Sequence, residues 1–219
     1  MKFSNELGIA SVRRARRAIM GAVGRPPSGS DVQRESFPEW AQRGGVFVTL
    51  RTYPTVQLRG CIGYPRAVLP LGEAIDDAAA AAAIDDPRFP PVTWSELGRL
   101  VVEVSLLSAP EPIAASDVEG RRAAVVVGRD GLIVSAGGAS GLLLPQVAVE
   151  EGWDAEEFLE RTGEKAGLGP SAWRHASTRV ERFEAAVFGE VAPGGDVVPE
   201  RVDSSAEGSS GRRRAPSAR

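Results

Sequence analysis

The chain has 219 residues, of which 42% are hydrophobic and 25% charged, with a formal net charge of −3. That bounds it to one globular domain, or two small ones sharing a core, with enough apolar material to fold without staples. One cysteine excludes an internal disulfide, and one histidine argues against a His/Cys zinc site or any other metal centre of that kind. No apolar run approaches the roughly 20 residues of a membrane span. Residues 1–25 scatter charges among their apolar positions and lack the continuous stretch of a secretory signal. The expectation is a cytoplasmic protein in a reducing compartment.

Charge is unevenly spread. The segment 201–219 holds five Arg against Asp203 and Glu207, a surplus of three positive charges, so residues 1–200 carry −6. An acidic body is a poor match for a phosphate backbone, which argues against strong nucleic-acid binding. Lys occurs only at Lys2 and Lys165, so Arg is nearly the sole cation. Under such a bias no Arg is read as a phosphate ligand merely for being Arg.

Residues 5–23 place Leu7, Ala10, Val12, Ala15, Ala18 and Ile19 at helical spacing, with Arg13, Arg14, Arg16 and Arg17 between them, which predicts an amphipathic helix with a solvated basic face. Residues 25–38 are rich in Pro, Ser and Gly and read as a loop. In GGVFVTLR (44–51), Val46, Val48 and Leu50 alternate with Phe47, Thr49 and Arg51, a strand. TYPTVQ (52–57) turns the chain into a second strand, QLRGCIG (57–63), to make a hairpin. Residues 70–85 form an Ala-rich helix entered at Pro70 and stopped by Pro87, Pro90 and Pro91; its six-alanine run can pack close to a sheet. Thr93 and Glu96 make a capping box, and Leu100, Val102, Val104 and Leu106 alternate as a strand.

The second half repeats the theme. AAVVV (123–127) and LIVSA (132–136) read as strands joined by GRDG, and AGGASG (136–141) as a second turn. Helices are expected over 146–151 and from the Asp154/Glu157 capping box to about Lys165, with a last strand over 179–188. Residues 1–195 are taken as the domain and 196–219 as a flexible tail, disordered over 203–219, where apolar content falls away. Hairpins and helices in mixed order predict an α+β fold, antiparallel sheets with flanking helices. The shared strand–hairpin–helix order of the two halves hints at a structural duplication, with no sequence repeat behind it.

The hexapeptide around the only cysteine, Leu58-Arg59-Gly60-Cys61-Ile62-Gly63, is where chemistry looks specified. On a regular strand Leu58, Gly60 and Ile62 share the core face, while Arg59 and Cys61 share the other, their Cβ atoms about 6–7 Å apart. A poorly solvated guanidinium that near favours thiolate over thiol. Gly60 and Gly63 clear space on either side for a ligand or another backbone. The functional reading is a reactive thiol beside a fixed cation. The structural reading is a buried cysteine filling a small volume and glycines marking a bulge. The sole histidine, His175, is read as a surface or hydrogen-bonded residue rather than the thiol's base. Asp86 and Arg88 either pair with each other, fix the rigid prolyl turn, or face a ligand. Glu103, on the polar side of its strand, is a partner for Arg59. Gln146, at a helix start, either hydrogen-bonds a ligand or caps its loop.

Several stretches in order, GGVFVTL (44–50), LRGCIG (58–63), DPRFPPVT (86–93), EVSLLSAPEPI (103–113), VGRDGLIV (127–134), GLLLPQVAVEEGWD (141–154) and KAGL (165–168), resemble the AMMECR family, also called AmmeMemoRadiSam system protein A. The resemblance covers about residues 5–190, with LRGCIG as its hallmark. It implies a larger and a smaller subdomain with the hexapeptide lining the groove between them. It also implies partners of two kinds, Memo-like proteins and radical S-adenosylmethionine enzymes, and an unsettled activity on RNA or a small substrate. One position departs: many prokaryotic relatives carry a second cysteine before KAGL, where this chain has Gly163. A mechanism needing two thiols is therefore in doubt, and no cofactor of the chain's own is expected; it lacks the three-cysteine cluster of a radical enzyme.

The leading reading is a groove that holds Cys61, as nucleophile or thiol donor, and Arg59, as stabiliser of the thiolate or of an anion. It binds a small anionic or nucleotide-like ligand, contacted by Gly60, Gly63, Asp86, Arg88, Glu103 and Gln146. The rival is a non-enzymatic adaptor or scaffold with a structural cysteine.

Overall fold

The computed structural model describes residues 3–24, 36–115 and 117–200. Helix α1 (Asn5–Ala22) starts where the Ser4 hydroxyl accepts a hydrogen bond from the Leu7 N–H, and its stripe of Leu7, Ala10, Val12, Ala15 and Ile19 is buried. Its basic face is not simply solvated. Arg14 forks onto Asp76 at 2.6 and 2.8 Å, and Arg16 holds Glu190 and donates to the Leu100 carbonyl oxygen. The acidic residues that meet these arginines come from distant parts of the chain, which local periodicity does not register.

Strands β1 (Gly45–Thr52) and β2 (Leu58–Tyr64) form the expected hairpin. Helix α2 (Leu71–Ile84) follows with Pro70 as its N-cap, and strand β3 (Leu100–Leu107) pairs with the far side of β1. The Thr93/Glu96 capping box forms, opening a 3-10 helix over Trp94–Arg99. After the two-residue β4 (Glu111–Pro112) comes α3 (Val118–Ala123), then β5 (Asp130–Ala136) and β6 (Ala139–Leu143). Helices α4 (Pro145–Glu151) and α5 (Ala155–Lys165) lead to β7 (Arg179–Glu190) and β8 (Val197–Glu200).

The architecture is α+β, with eight strands in one antiparallel sheet ordered β2-β1-β3-β7-β5-β6, while β4 and β8 also pair with β7. The long β7 serves two half-sheets. Its residues 185–189 pair with β3 and its residues 179–184 with β5. Each half is a hairpin, then helix, then a strand added beyond the hairpin's first strand: β2-β1-β3 in one, β6-β5-β7 in the other. The duplication hinted at by element order is thus present as topology.

Two cores follow. The larger packs α1 and α2 on β1 and β3, with Val48, Leu50, Ile75, Val102 and Val104 at its centre. The smaller packs α4 and α5 on β5 and β6 around Leu132, Val134, Phe158, Leu159 and Trp173. A third cluster, Leu107, Ile133 and Phe183 with Phe47, Leu142 and Leu144 packed on it, draws on both half-sheets. No helix among the described residues is long and apolar enough to cross a membrane.

One element differs from expectation. Residues 123–127 are not a strand: Asp117 accepts from the Gly120 N–H to start α3, and the Asp130 carboxylate accepts from the Val126 N–H at 2.9 Å to close a turn. Two carboxylate caps thus override the β-branched run, and the hairpin is β5–β6. Within the segment expected as a tail, Val197–Glu200 pair with β7; residues 201–219 lie outside the described residues, as does most of the loop expected over 25–38.

Candidate functional site

Leu50 pairs with Gly60 but Arg51 with Leu58, so Arg59 is an extra residue, a β-bulge. The bulge resets the alternation. Gly60 stays on the core face, where a Cβ would collide with the Ala82 carbonyl oxygen of α2. Leu58, expected in the core, is instead 38% exposed. Arg59 reaches the 3-10 helix, where its Nε donates to Glu96 at 3.0 Å, and its guanidinium lies 6.0 Å from the Phe89 ring. Burial works against the Glu96 carboxylate, but the Thr93 N–H and Arg59 hold its pKa below the ordinary value. The expected Arg59–Glu103 pair does not form: Glu103 accepts from Arg51 at 3.4 Å. At Gly63 the missing side chain is replaced by the Phe47 ring.

Cys61 lies on the sheet face opposite α2, partly exposed, and the Thr49 hydroxyl donates to its Sγ at 3.3 Å. β2 is an edge strand, so the outward backbone of Cys61 lacks a neighbouring strand. The turn after α2 supplies one's equivalent. Asp86 accepts from the Cys61 N–H at 2.8 Å, and Arg88 donates to the Cys61 carbonyl oxygen at 3.0 Å while binding Asp86 through two nitrogens. Asp86 is 5% exposed, and the Arg88 guanidinium holds its carboxyl well below the usual range. Asp86 and Arg88 therefore do pair and do fix the turn, directly on the backbone of Cys61.

Strand register sets out the rest. Cys61, Thr49, Glu103 and Gly189 are consecutive cross-strand partners from β2 through β1 and β3 to β7. They share one face, because Val48, Leu50, Val102 and Val104 take the other. Glu103 is 8% exposed, and burial, reinforced by the negative charge of Glu200, raises its carboxyl to about 7 against the opposing Arg51. Glu200 of β8 lies over Gly189, whose absent side chain leaves room for the Glu200 and Glu103 chains, and burial raises its pKa too.

The second half contributes a cation. Lys165, the last residue of α5, is exposed, yet the protein packed around its amine lowers the pKa; the Cys61 sulfur opposes that shift and the Arg88 charge adds to it. The thiol, the ammonium and the guanidinium are therefore electrostatic neighbours. Gln146, second in α4, keeps its Oε1 buried without a hydrogen-bond partner, as does the Ser105 hydroxyl on β3. Sequence reasoning missed Thr49, Ser105 and Lys165 as site residues. Lys165 had a signal: in a chain that uses Arg almost everywhere, a retained Lys marks a place where a compact, deprotonatable ammonium differs from a guanidinium. Gathered sets of three or more His, Cys, Asp or Glu able to hold a metal are absent among the described residues.

The AMMECR1 family model matches residues 12–188. The chain belongs to the AMMECR1 family. It is 49% identical over 210 residues to a protein of Thermofilum pendens, and 46% identical over 198 residues to protein MJ0810 of Methanocaldococcus jannaschii; each alignment covers 90% of this chain and 96% of the relative. The crystal structure of uncharacterized protein PH0010 from Pyrococcus horikoshii is similar at a TM-score of 0.83 and 47% identity, covering 92% of this chain and all of that one. These AMMECR1 relatives carry no stated activity, so the chemistry is argued from the side chains.

Proposed function

We propose that the face carrying Cys61, Thr49 and Glu103 is the working centre of a thiol-dependent enzyme that acts on a small anionic substrate. Cys61 is the nucleophile or thiol donor, and the Thr49 hydroxyl positions its sulfur. Lys165 and Arg88, whose side chain stays half exposed beyond its bonds to Asp86 and the Cys61 carbonyl, receive the substrate's anionic group, the role sequence reasoning gave to Arg59, which is bound to Glu96 and largely buried. Glu103, titrating near neutrality, carries protons. The observation that carries this reading is the single cross-strand row of thiol, hydroxyl and near-neutral carboxyl, with a lysine from the other half electrostatically coupled to the thiol. Partnership with Memo-like and radical S-adenosylmethionine proteins rests on family resemblance alone, and the acidic body speaks for a small ligand over RNA.

The backbone clamp on Cys61 favours the second reading, an adaptor in which the hexapeptide only finishes a sheet edge. Alkylation of the native protein with iodoacetamide across pH, followed by mass spectrometry, separates the two. The enzyme reading expects Cys61 to react at least as fast as a free cysteine; a thiol inert until the protein unfolds leaves the adaptor.

A further inference from the structure

The far end of the row has a chemistry that thiol catalysis does not use. Around Glu103 lie Glu200 from β8 and Glu150 from α4, whose negative charges both raise its pKa, against one cation, Arg51 of β1. Ser105 is next to Glu103 on the same face of β3, and its own row runs through Val187 to Glu200. It is 1% exposed, and its hydroxyl has no hydrogen-bond partner. Gln146 stands one helical turn before Glu150, so the two share a face of α4, and its Oε1 is likewise buried and unpartnered. Buried polar atoms are ordinarily paired, and these two are not. Ionised Glu103 and Glu200 and the Gln146 oxygen only accept hydrogen bonds, and Arg51 is the one cation that faces the two carboxyls. The Cys61 end is the reverse, with Lys165 and Arg88 as donors. Two strand spacings, roughly 10 Å, separate Cys61 from Glu103 along the row.

We propose that this site takes a small dipolar molecule, its anionic group at Lys165 and Arg88 beside Cys61 and a cationic, hydrogen-donating group at the Glu103 and Glu200 carboxyls. The inference rests on the anion-binding end of the function proposed above and names the class of molecule that end would receive. A bound ammonium or amidinium supplies a partner to the Ser105 and Gln146 oxygens and offsets the repulsion between the carboxyls. Because Glu103 must release its proton to hold a cation, binding strengthens as pH rises through neutrality, with Arg51, Glu150 and Glu200 the other charged groups that face it.

The test is amide-resolved NMR titration of the full chain at pH 8 with three probes of one length: ε-aminocaproate, hexylamine and hexanoate. The zwitterion should bind about tenfold tighter than either singly charged probe, a difference of ~1.4 kcal/mol. It should shift signals at both Lys165 and Ser105. The Glu103→Gln/Glu200→Gln double variant should bind it no better than hexanoate, with shifts kept only at Lys165. Glu200→Gln alone, on the terminal strand, should narrow the preference and serves where the double variant does not fold. Hexanoate binding as tightly as the zwitterion, with shifts confined to Lys165, overturns the dipolar site and leaves the thiol reading standing. No shift with any probe also overturns it. Zwitterion binding alongside an unreactive Cys61 would instead retain this site and remove catalysis.

Discussion

Glu103 is a carboxyl whose surroundings work against its charge. Burial and the neighbouring Glu200 raise its carboxyl to about 7, so between the ordinary carboxylate range and that value the folded protein holds a proton the unfolded chain has released. Its contribution to stability is therefore complete in mild acid and is lost as pH rises through 7, amounting to about 3 kcal/mol in all. Glu103→Gln, which stays neutral, should match the parent near pH 5 and melt higher at pH 8; denaturation across that range checks it, and equal melting at pH 8 would show that Glu103 carries no such strain. Lys165 works in the opposite sense. Its lowered pKa means that the charged amine opposes folding at neutral pH and that stability rises as pH climbs through its folded value. Lys165→Met should raise the melting temperature at pH 7 while weakening anion binding. Of these two residues, Glu103 was visible in the sequence as a polar position on a strand, but its partner was misread, because a bulge at Arg59 is a tertiary event without a local signature.

At the scale of elements, the β1–β2 hairpin, α2 and the turn after it form one clamp. Gly60 lets the Ala-rich face of α2 lie against β2, and the α2-terminal turn then meets the open backbone of Cys61 with Asp86 and Arg88. Gly60→Ala forces a methyl onto the Ala82 carbonyl oxygen, which is backbone and cannot swing aside, so it should cost roughly 1–3 kcal/mol. Asp86→Asn should cost a similar amount, roughly 1–3 kcal/mol, at neutral pH, because it unpairs Arg88. The pKa of Asp86 is depressed, so the parent keeps that stabilisation above the ordinary carboxylate value and loses it only in stronger acid. Urea melts at pH 7 and pH 3 check both substitutions; a neutral Asp86→Asn at pH 7 would deny the clamp. The elements here were legible because they follow local rules: alternation for β1 and β3, a proline-bounded alanine run for α2, capping boxes at Thr93 and Asp154. The misread stretch 123–127 shows the limit. Its valines satisfy strand propensity, but Asp117 and Asp130 cap turns on either side of it.

At the scale of the whole molecule, β7 belongs to both half-sheets, and the Phe183 cluster carries side chains from each. The halves should therefore unfold together. Phe183→Ala is expected to cost roughly 3–5 kcal/mol and to lower hydrogen-exchange protection in β1 and β5 alike; loss confined to β5 would mean independent units. The duplicated topology was only hinted at by element order, since pairing across 44 to 54 residues leaves no local trace. A lysine from the second half is the electrostatic neighbour of a thiol in the first, a convergence no spacing rule could supply. That convergence is the centre of the account. Its most direct measurement is the ratio of Cys61 alkylation rates with iodoacetate and iodoacetamide, normalised to a free thiol, in the parent and in Lys165→Met. The account predicts a ratio several-fold above the free thiol's in the parent, falling toward it in Lys165→Met. Equal ratios in the two proteins would contradict it.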